Sequence, residues 1–233
     1  MELVNQLLEQ IKDLEITEQL RFLADLYPKQ VVLSTSFQYE DQVITDFIFR
    51  NNIDIEIFTI DTGRMFEETY KTFSNTIKFY KKKIRVYFPD YQDVEKYQTE
   101  KGPNAFYQSI ENRKECCYIR KVKPLERALK NKKIWITGLR SGQASTRQNV
   151  PLVEWDEKHN LLKYNPLHDW TLEQVKQYIY KNHVPYNVLH DKGYPSIGCA
   201  PCTRAIKPGE DIRAGRWWWE NTNKKECGLH VKE

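Results

Sequence analysis

Apolar residues at Leu3, Leu7, Leu8, Ile11 and Leu14 repeat with the three- and four-residue spacing of one helical face. A second amphipathic segment begins at Thr17, which reads as its N-cap, and stops at Pro28. Together they predict an N-terminal helical cover. The period then changes. Gln30–Thr35 (QVVLST) is a short β-branched run ending in hydroxyls, followed by a helical stretch from Asp41 to Arg50. The same strand, loop and helix return at Ile53–Ile60, the turn Asp61-Thr62-Gly63 and a helix through Lys82. Further strands are expected at Ile84–Phe88 and at Ile134–Thr137, the latter closing on Gly138. This alternation predicts right-handed crossovers and an α/β fold: a doubly wound, mainly parallel sheet with helices on both faces.

Ligands of such sheets bind beyond the carboxyl ends of the strands, where Ser34-Thr35-Ser36, Asp61-Thr62-Gly63 and Gly138-Leu139-Arg140 fall. After Asn165-Pro166-Leu167 a helix is expected from about Thr171 to Asn182. The stretch Val184–Gly215, punctuated by Gly and Pro, reads as irregular. The organisation expected is therefore one α/β domain over 1–219 with the helical cover, and a flexible polar tail over 220–233.

With 233 residues, 40% of them hydrophobic, the chain can bury one substantial core. No run approaches the roughly 18 apolar residues of a membrane span. The acidic, amphipathic N-terminus lacks the cationic start of a secretory signal, so the expected address is the cytoplasm. A net charge of +4 is too mild to demand nucleic acid and suits a small anion.

The five cysteines carry more information. An odd number in a chain without an export signal argues for metal binding or catalysis over a disulfide framework. Cys116-Cys117 and Cys199-x-x-Cys202 are two close pairs able to converge on a zinc ion or an iron–sulfur cluster; unrelated thiols are the third reading. The vicinal pair tilts away from zinc, whose paired ligands leave two to four residues between them. Arg113, Lys114, Arg120, Lys121 and Lys123 surround it and would offset thiolate charge, although most of them are expected on a solvated helix face. Cys227 stands alone in KKECGLH, either as an inert exposed thiol or as a cation-flanked nucleophile.

Read together, these segments resemble the assimilatory sulfonucleotide reductases, which reduce adenylylsulfate (APS) or its 3′-phosphorylated form (PAPS). The resemblance runs from about Val31 to the C-terminus. It rests on Ser36-Phe37-x-x-Glu40-Asp41, Ile60-Asp61-Thr62-Gly63-Arg64, Cys116-Cys117-x-x-Arg120-Lys121-x-x-Pro124-Leu125 and Thr137-Gly138-Leu139-Arg140-x-x-Gln143. Further on it rests on Gly198-Cys199-x-x-Cys202-Thr203, Gly209-Glu210-Asp211-x-Arg213-x-Gly215-Arg216-Trp217 and Glu226-Cys227-Gly228-Leu229-His230.

The resemblance implies that Cys116, Cys117, Cys199 and Cys202 hold one 4Fe-4S cluster, with Cys227 the nucleophile and Lys121 and His230 assisting it. Its implied substrate contacts are Ser34, Ser36, Phe37, Asp61, Thr62, Gly63 and Arg64, then Gly138, Arg140 and Arg147, and finally Arg213 and Arg216. It also implies thioredoxin or glutaredoxin as reductant, expected here as a separate protein because His230 lies three residues from the end of the sequence. A homo-oligomer stays open.

Two positions depart from the family pattern: Gln38 stands where a glycine is usual, and Ala144 where a serine is. Trp217-Trp218-Trp219 reads as packing beside the Arg216 loop, since three consecutive aromatics cannot all face one ligand. An ATP-dependent tRNA sulfur-transfer enzyme is the main rival. It would need a glycine-rich phosphate loop, and Ser34–Asp41 (STSFQYED) contains no glycine. A zinc-stapled binding module without catalysis is the other. Within the reductases, four cluster cysteines go with APS, and the loop from Ser34 to Ser36 offers no basic clamp for a 3′-phosphate, while Arg64 keeps PAPS as the alternative.

Overall fold

The computed structural model describes residues 2–143 and 148–220. In chain order the elements are α1 (Glu2–Ile11), α2 (Ile16–Leu26), β1 (Val31–Ser34), α3 (Tyr39–Arg50), β2 (Glu56–Ile60) and α4 (Glu67–Tyr80). They continue with β3 (Arg85–Tyr87), α5 (Tyr91–Lys101), α6 (Ile110–Cys117), a π-helical turn (Tyr118–Val122) and α7 (Lys123–Leu129). Last come β4 (Ile134–Ile136), β5 (Val153–Asp156), β6 (Leu161–Tyr164) and α8 (Leu172–Lys181). No helix among the described residues is long and apolar enough to cross a membrane.

The sheet order is β3-β2-β1-β4-β6-β5. Strand β1 is parallel to both β2 and β4, and β4 is parallel to β6. Strand β5 turns back, antiparallel to β6, with Val153 opposite Tyr164. The expected doubly wound, mainly parallel sheet is therefore present. Its order reverses direction between β1 and β4, so their carboxyl ends flank a topological switch point. The sequence does not predict the hairpin β5–β6: Glu154, Asp156 and Lys163 interrupt its strands, so neither VEWD nor LLKY reads as an apolar run. Helix α2 begins at Ile16, one turn-position before the expected cap at Thr17, because Glu18 reaches back to accept the Glu15 N–H at 3.0 Å.

The chain divides into two compact units. The first holds residues 1–59, 68–85 and 129–188. Its core sets Leu7, Ile11, Leu20 and Leu23 of the first two helices, Val43, Ile44 and Ile48 of α3 and Val175 and Ile179 of α8 against strand residues such as Leu33, Ile134, Ile136 and Leu162. Buried Gln19 ties the helical cover down by donating to the Ile11 and Leu14 carbonyls at 2.9 and 2.8 Å.

The second unit holds residues 60–67, 86–128 and 189–233, of which 221–233 lie outside the described residues. Its buried cluster is small: Tyr97, Ala105, Phe106, Cys116, Ile119, Cys202 and Trp217. Within it α6, the π turn and α7 follow one another without a break. Pro124 accounts for the π turn between them. Lacking an N–H and crowding the carbonyl four residues back, proline widens the helix before it, and the Lys123 N–H duly donates to Tyr118 O, five residues back.

Candidate functional site

In the first unit, the loop after β1 is folded by its own side chains. Asp41, in the first turn of α3, accepts from both the backbone N–H and the hydroxyl of Ser36, each at 2.7 Å. Gln38 donates to the same hydroxyl at 3.0 Å, and the Thr35 hydroxyl accepts from the Phe37 N–H at 3.1 Å. Gln38 itself sits at φ −81, so the side chain standing where relatives have glycine costs nothing in backbone conformation. The left-handed residue is its neighbour Phe37, at φ 60, whose ring is fully buried and stacks on Phe73 at 5.0 Å. The Phe37 side chain is thus core, and only its backbone belongs to the loop. Burial pushes the Asp41 carboxyl up to about 6 despite the Ser36 hydrogen bonds.

The loop after β4 approaches Asp41 closely. A Cβ on Gly138 would lie 2.5 Å from Asp41 Oδ1, so no other residue fits. Arg140 Nε donates to Glu40 at 2.7 Å, a buried ion pair that occupies part of its guanidinium within the protein. Ser34 Oγ accepts from Trp135 Nε1 at 2.8 Å.

In the second unit, Asp61 Oδ1 accepts the Gly63 N–H at 2.8 Å, closing a turn in which Gly63 takes φ +69. Thr62 bridges outward: its hydroxyl lies 3.3 Å from Cys199 Sγ, and its carbonyl accepts from Arg120 at 2.6 Å. Cys116, Cys117, Cys199 and Cys202 line one basin with Arg64, Phe106, Arg113, Arg120, Lys121 and Trp217. None of the four forms a disulfide among the described residues. Arg64 lies over the Phe106 ring at 5.0 Å. Burial, aided by the neighbouring Cys199, pushes the Cys202 thiol up to about 12; Cys116 is also raised by burial, with Arg120 opposing. A bare thiolate is therefore expensive here, and a metal centre that replaces the thiol protons removes that cost.

Two arginines expected on a solvated face are instead buried. Arg113 grips Glu220 with two hydrogen bonds of 2.8 and 2.9 Å and lies 4.6 Å from the Trp217 centroid. Arg120 holds the Thr62 carbonyl. Arg216 also packs on Trp217, at 4.9 Å, and reaches the Ile197 carbonyl at 3.4 Å, while its buried Nε has no hydrogen-bond partner among the described residues. Trp217 is 1% exposed, so of the three tryptophans it is the packing residue, and Trp218 is exposed. Arg213 is half-buried, its backbone N–H donating to Asp211 at 2.8 Å. The roles of Arg113 and Glu220 in binding Trp217 and each other had no signal in the sequence. Arg147, Cys227 and His230 lie outside the described residues, as does Ala144.

A mainly parallel sheet with its switch point between β1 and β4 defines a doubly wound α/β class. A crystal structure of Candida glabrata FMN adenylyltransferase in complex with FAD and inorganic pyrophosphate shares this fold, at a TM-score of 0.54 and 13% identity over 94% of this chain and 76% of that one. The cysteine basin narrows the class. The family model described as the phosphoadenosine phosphosulfate reductase domain matches residues 30–205, and the chain belongs to this sulfonucleotide reductase family. It is 48% identical to the adenosine 5'-phosphosulfate reductase of Sinorhizobium fredii (strain USDA 257) over 97% of this chain and 89% of that protein. The phosphoadenylyl-sulfate (PAPS) reductase of Candida auris, solved as a phosphate complex, matches with a TM-score of 0.75 and 29% identity over 88% of this chain and 97% of that one.

Proposed function

We propose that the chain reduces APS to sulfite and AMP in sulfate assimilation, in the cytoplasm, with a separate thioredoxin- or glutaredoxin-type dithiol as reductant. The observation that carries the substrate is the identity gradient. A relative 48% identical along nearly the whole chain bears the APS reductase name, whereas the similar PAPS reductase is 29% identical.

The Cys227 thiolate attacks the sulfur of APS, the S–O bond to the phosphate breaks, and AMP leaves with the electron pair. The enzyme then carries an S-sulfocysteine. One thiolate of the external dithiol attacks Cys227 Sγ and releases sulfite; the second thiol resolves the mixed disulfide, returning Cys227 reduced and the dithiol oxidised. Thiolate and sulfate repel, so Lys121, Arg213, Arg216 and His230 supply the offsetting positive charge, and arginine forks suit the oxyanions. Ser34, Ser36 and the loops at Gly63, Arg64, Gly138, Arg140 and Arg147 receive the nucleotide.

Cys116, Cys117, Cys199 and Cys202 suit a 4Fe-4S cluster: they share one basin, they are costly as bare thiolates, and they are flanked by four cationic side chains. When bound, the cluster supplies electrostatic and structural support to the site.

Steady-state sulfite release from APS and from PAPS with thioredoxin tests reaction, substrate and partner together. The expected ratio of kcat/KM favours APS by at least about tenfold, the value of one well-placed polar contact. Equal constants, or a preference for PAPS, would refute the substrate assignment and leave the reductase reading standing.

A further inference from the structure

The loop after β1 carries three hydroxyls in different states. Ser36 is used in both directions, donating to Asp41 and accepting from Gln38. Thr35 is buried and accepts from the Phe37 N–H. Ser34 is half-buried at the carboxyl end of β1, and its oxygen accepts from Trp135 Nε1 at 2.8 Å. An indole N–H donates and cannot accept, so the direction of this bond is not open to choice. The Ser34 hydrogen therefore cannot go to Trp135 and is turned away from the indole, where it is open to an acceptor at the switch point.

Trp135 is in turn held rigidly. It is 1% exposed and stands opposite Val32 of β1 in parallel register. The Lys163 ammonium lies 5.1 Å from its ring centroid, and His159 meets its ring edge-on at 5.6 Å. Lys163 is itself fixed by Asp156 at 3.1 Å. A strand residue without ligand-binding chemistry of its own thus dictates which way a loop hydroxyl can donate.

We propose that Trp135 is a positioning residue for the nucleotide: its N–H occupies the Ser34 oxygen and leaves the Ser34 hydrogen to a phosphate oxygen of the bound adenylyl group. This rests on the functional reading above. With one of its two lone pairs held by the indole, the hydroxyl has its hydrogen directed away from Trp135, and an anionic phosphate presents the acceptor for it.

The test is a double-mutant cycle on the cluster-containing protein, with AMP as the probe in calorimetric titration and APS in turnover. Ser34→Ala is expected to weaken AMP binding about tenfold and Trp135→Phe about fivefold, the range of one hydrogen bond to a charged group. The double variant should bind no more than about twofold weaker than Ser34→Ala, because Trp135 acts through Ser34. KM for APS should follow these losses while kcat stays within about twofold. Unchanged affinity in either single variant, or losses that multiply in the double, would overturn the proposal. Phenylalanine also leaves space, so 3-benzothienylalanine introduced at 135 by amber suppression supplies the same shape with sulfur in place of N–H. Affinity as weak as in Trp135→Phe supports the hydrogen bond; wild-type affinity would show that packing is what matters and overturn it. A wild type that binds AMP but releases no sulfite from APS would sink the functional reading alone, and one that binds no AMP would sink this proposal.

Discussion

The two units are stabilised by different means. In the first, apolar side chains from α1, α2, α3, α8 and the strands share one large core, and the polar groups of the β1 and β4 loops satisfy one another locally. In the second, two of the seven core residues are thiols, and Trp217 is covered by the guanidinium groups of Arg113 and Arg216. The first is held by area removed from water, which many residue combinations supply. The second depends on particular functional groups, and its core includes the very side chains proposed to bind a cofactor. Its integrity should therefore follow the state of its cysteines, while that of the first unit should not.

The sharpest break is expected at the cysteines. Cys199→Ser should remove the cluster absorbance and lower turnover by at least about a thousandfold, losing both the cofactor and its share of the core. Cys227→Ser should lose turnover just as completely and retain iron, sulfide and AMP affinity. Intact mass after APS alone should show one sulfonate on the wild type, and an adduct persisting in Cys227→Ser would refute that residue as nucleophile. Next in size, Trp217→Ala should cost about 3–5 kcal/mol, as buried Trp truncations do, and lower the iron-to-protein ratio. Full iron occupancy in that variant would mean the tryptophan does not support the basin.

On the other side of the comparison, Gly138→Ala forces a methyl group against Asp41 Oδ1 and should cost about 1–3 kcal/mol in denaturant unfolding. Its KM for APS should rise while iron content stays at the wild-type level; loss of iron would blur the distinction between the units. The smallest effect concerns pH. Asp41 has a carboxyl raised to about 6 in the folded chain against an ordinary 3.8. Between these values the folded state binds more protons than the unfolded one, so this group's contribution is fully present below about pH 4 and declines until about pH 6. Asp41→Asn should remove that decline from stability measured across pH 4 to 6, and an unchanged slope would show that the carboxyl is not protonated in the fold.

The same division explains what could be read from the amino-acid sequence. The strands around Val31, Ile57 and Ile134 declare themselves as short continuous apolar runs buried on both faces, and the amphipathic helices of the first unit by a buried face that repeats. In the second unit the spacing of the cysteines pointed to four positions, and all four line one basin. What could not be read was how that basin is built. The pairing of Arg113 with Glu220 spans 107 residues, and the stack of Arg113 on Trp217 is set by tertiary approach, which leaves no local pattern. Arg120 and Lys121 are adjacent in sequence, yet Arg120 is buried on the Thr62 carbonyl and Lys121 is half-exposed, a difference that charge alone does not encode.

The π turn at Tyr118–Val122 bears on which changes of length the gene can accept. A π turn houses one residue more than the α-helical turn it replaces, and each residue added to or removed from a regular helix rotates everything beyond it by about 100°. Deleting any single codon between 118 and 122 would return the stretch to an α-helical turn, leaving α7 on its present face but setting Pro124 against a carbonyl of the preceding turn and shifting the positions of Arg120 and Lys121. A frame-preserving gain of one residue has no such turn to absorb it and should swing α7 by about 100° relative to Cys116 and Cys117. The helix that presents the vicinal cysteines thus accepts the loss of a residue more readily than the gain of one.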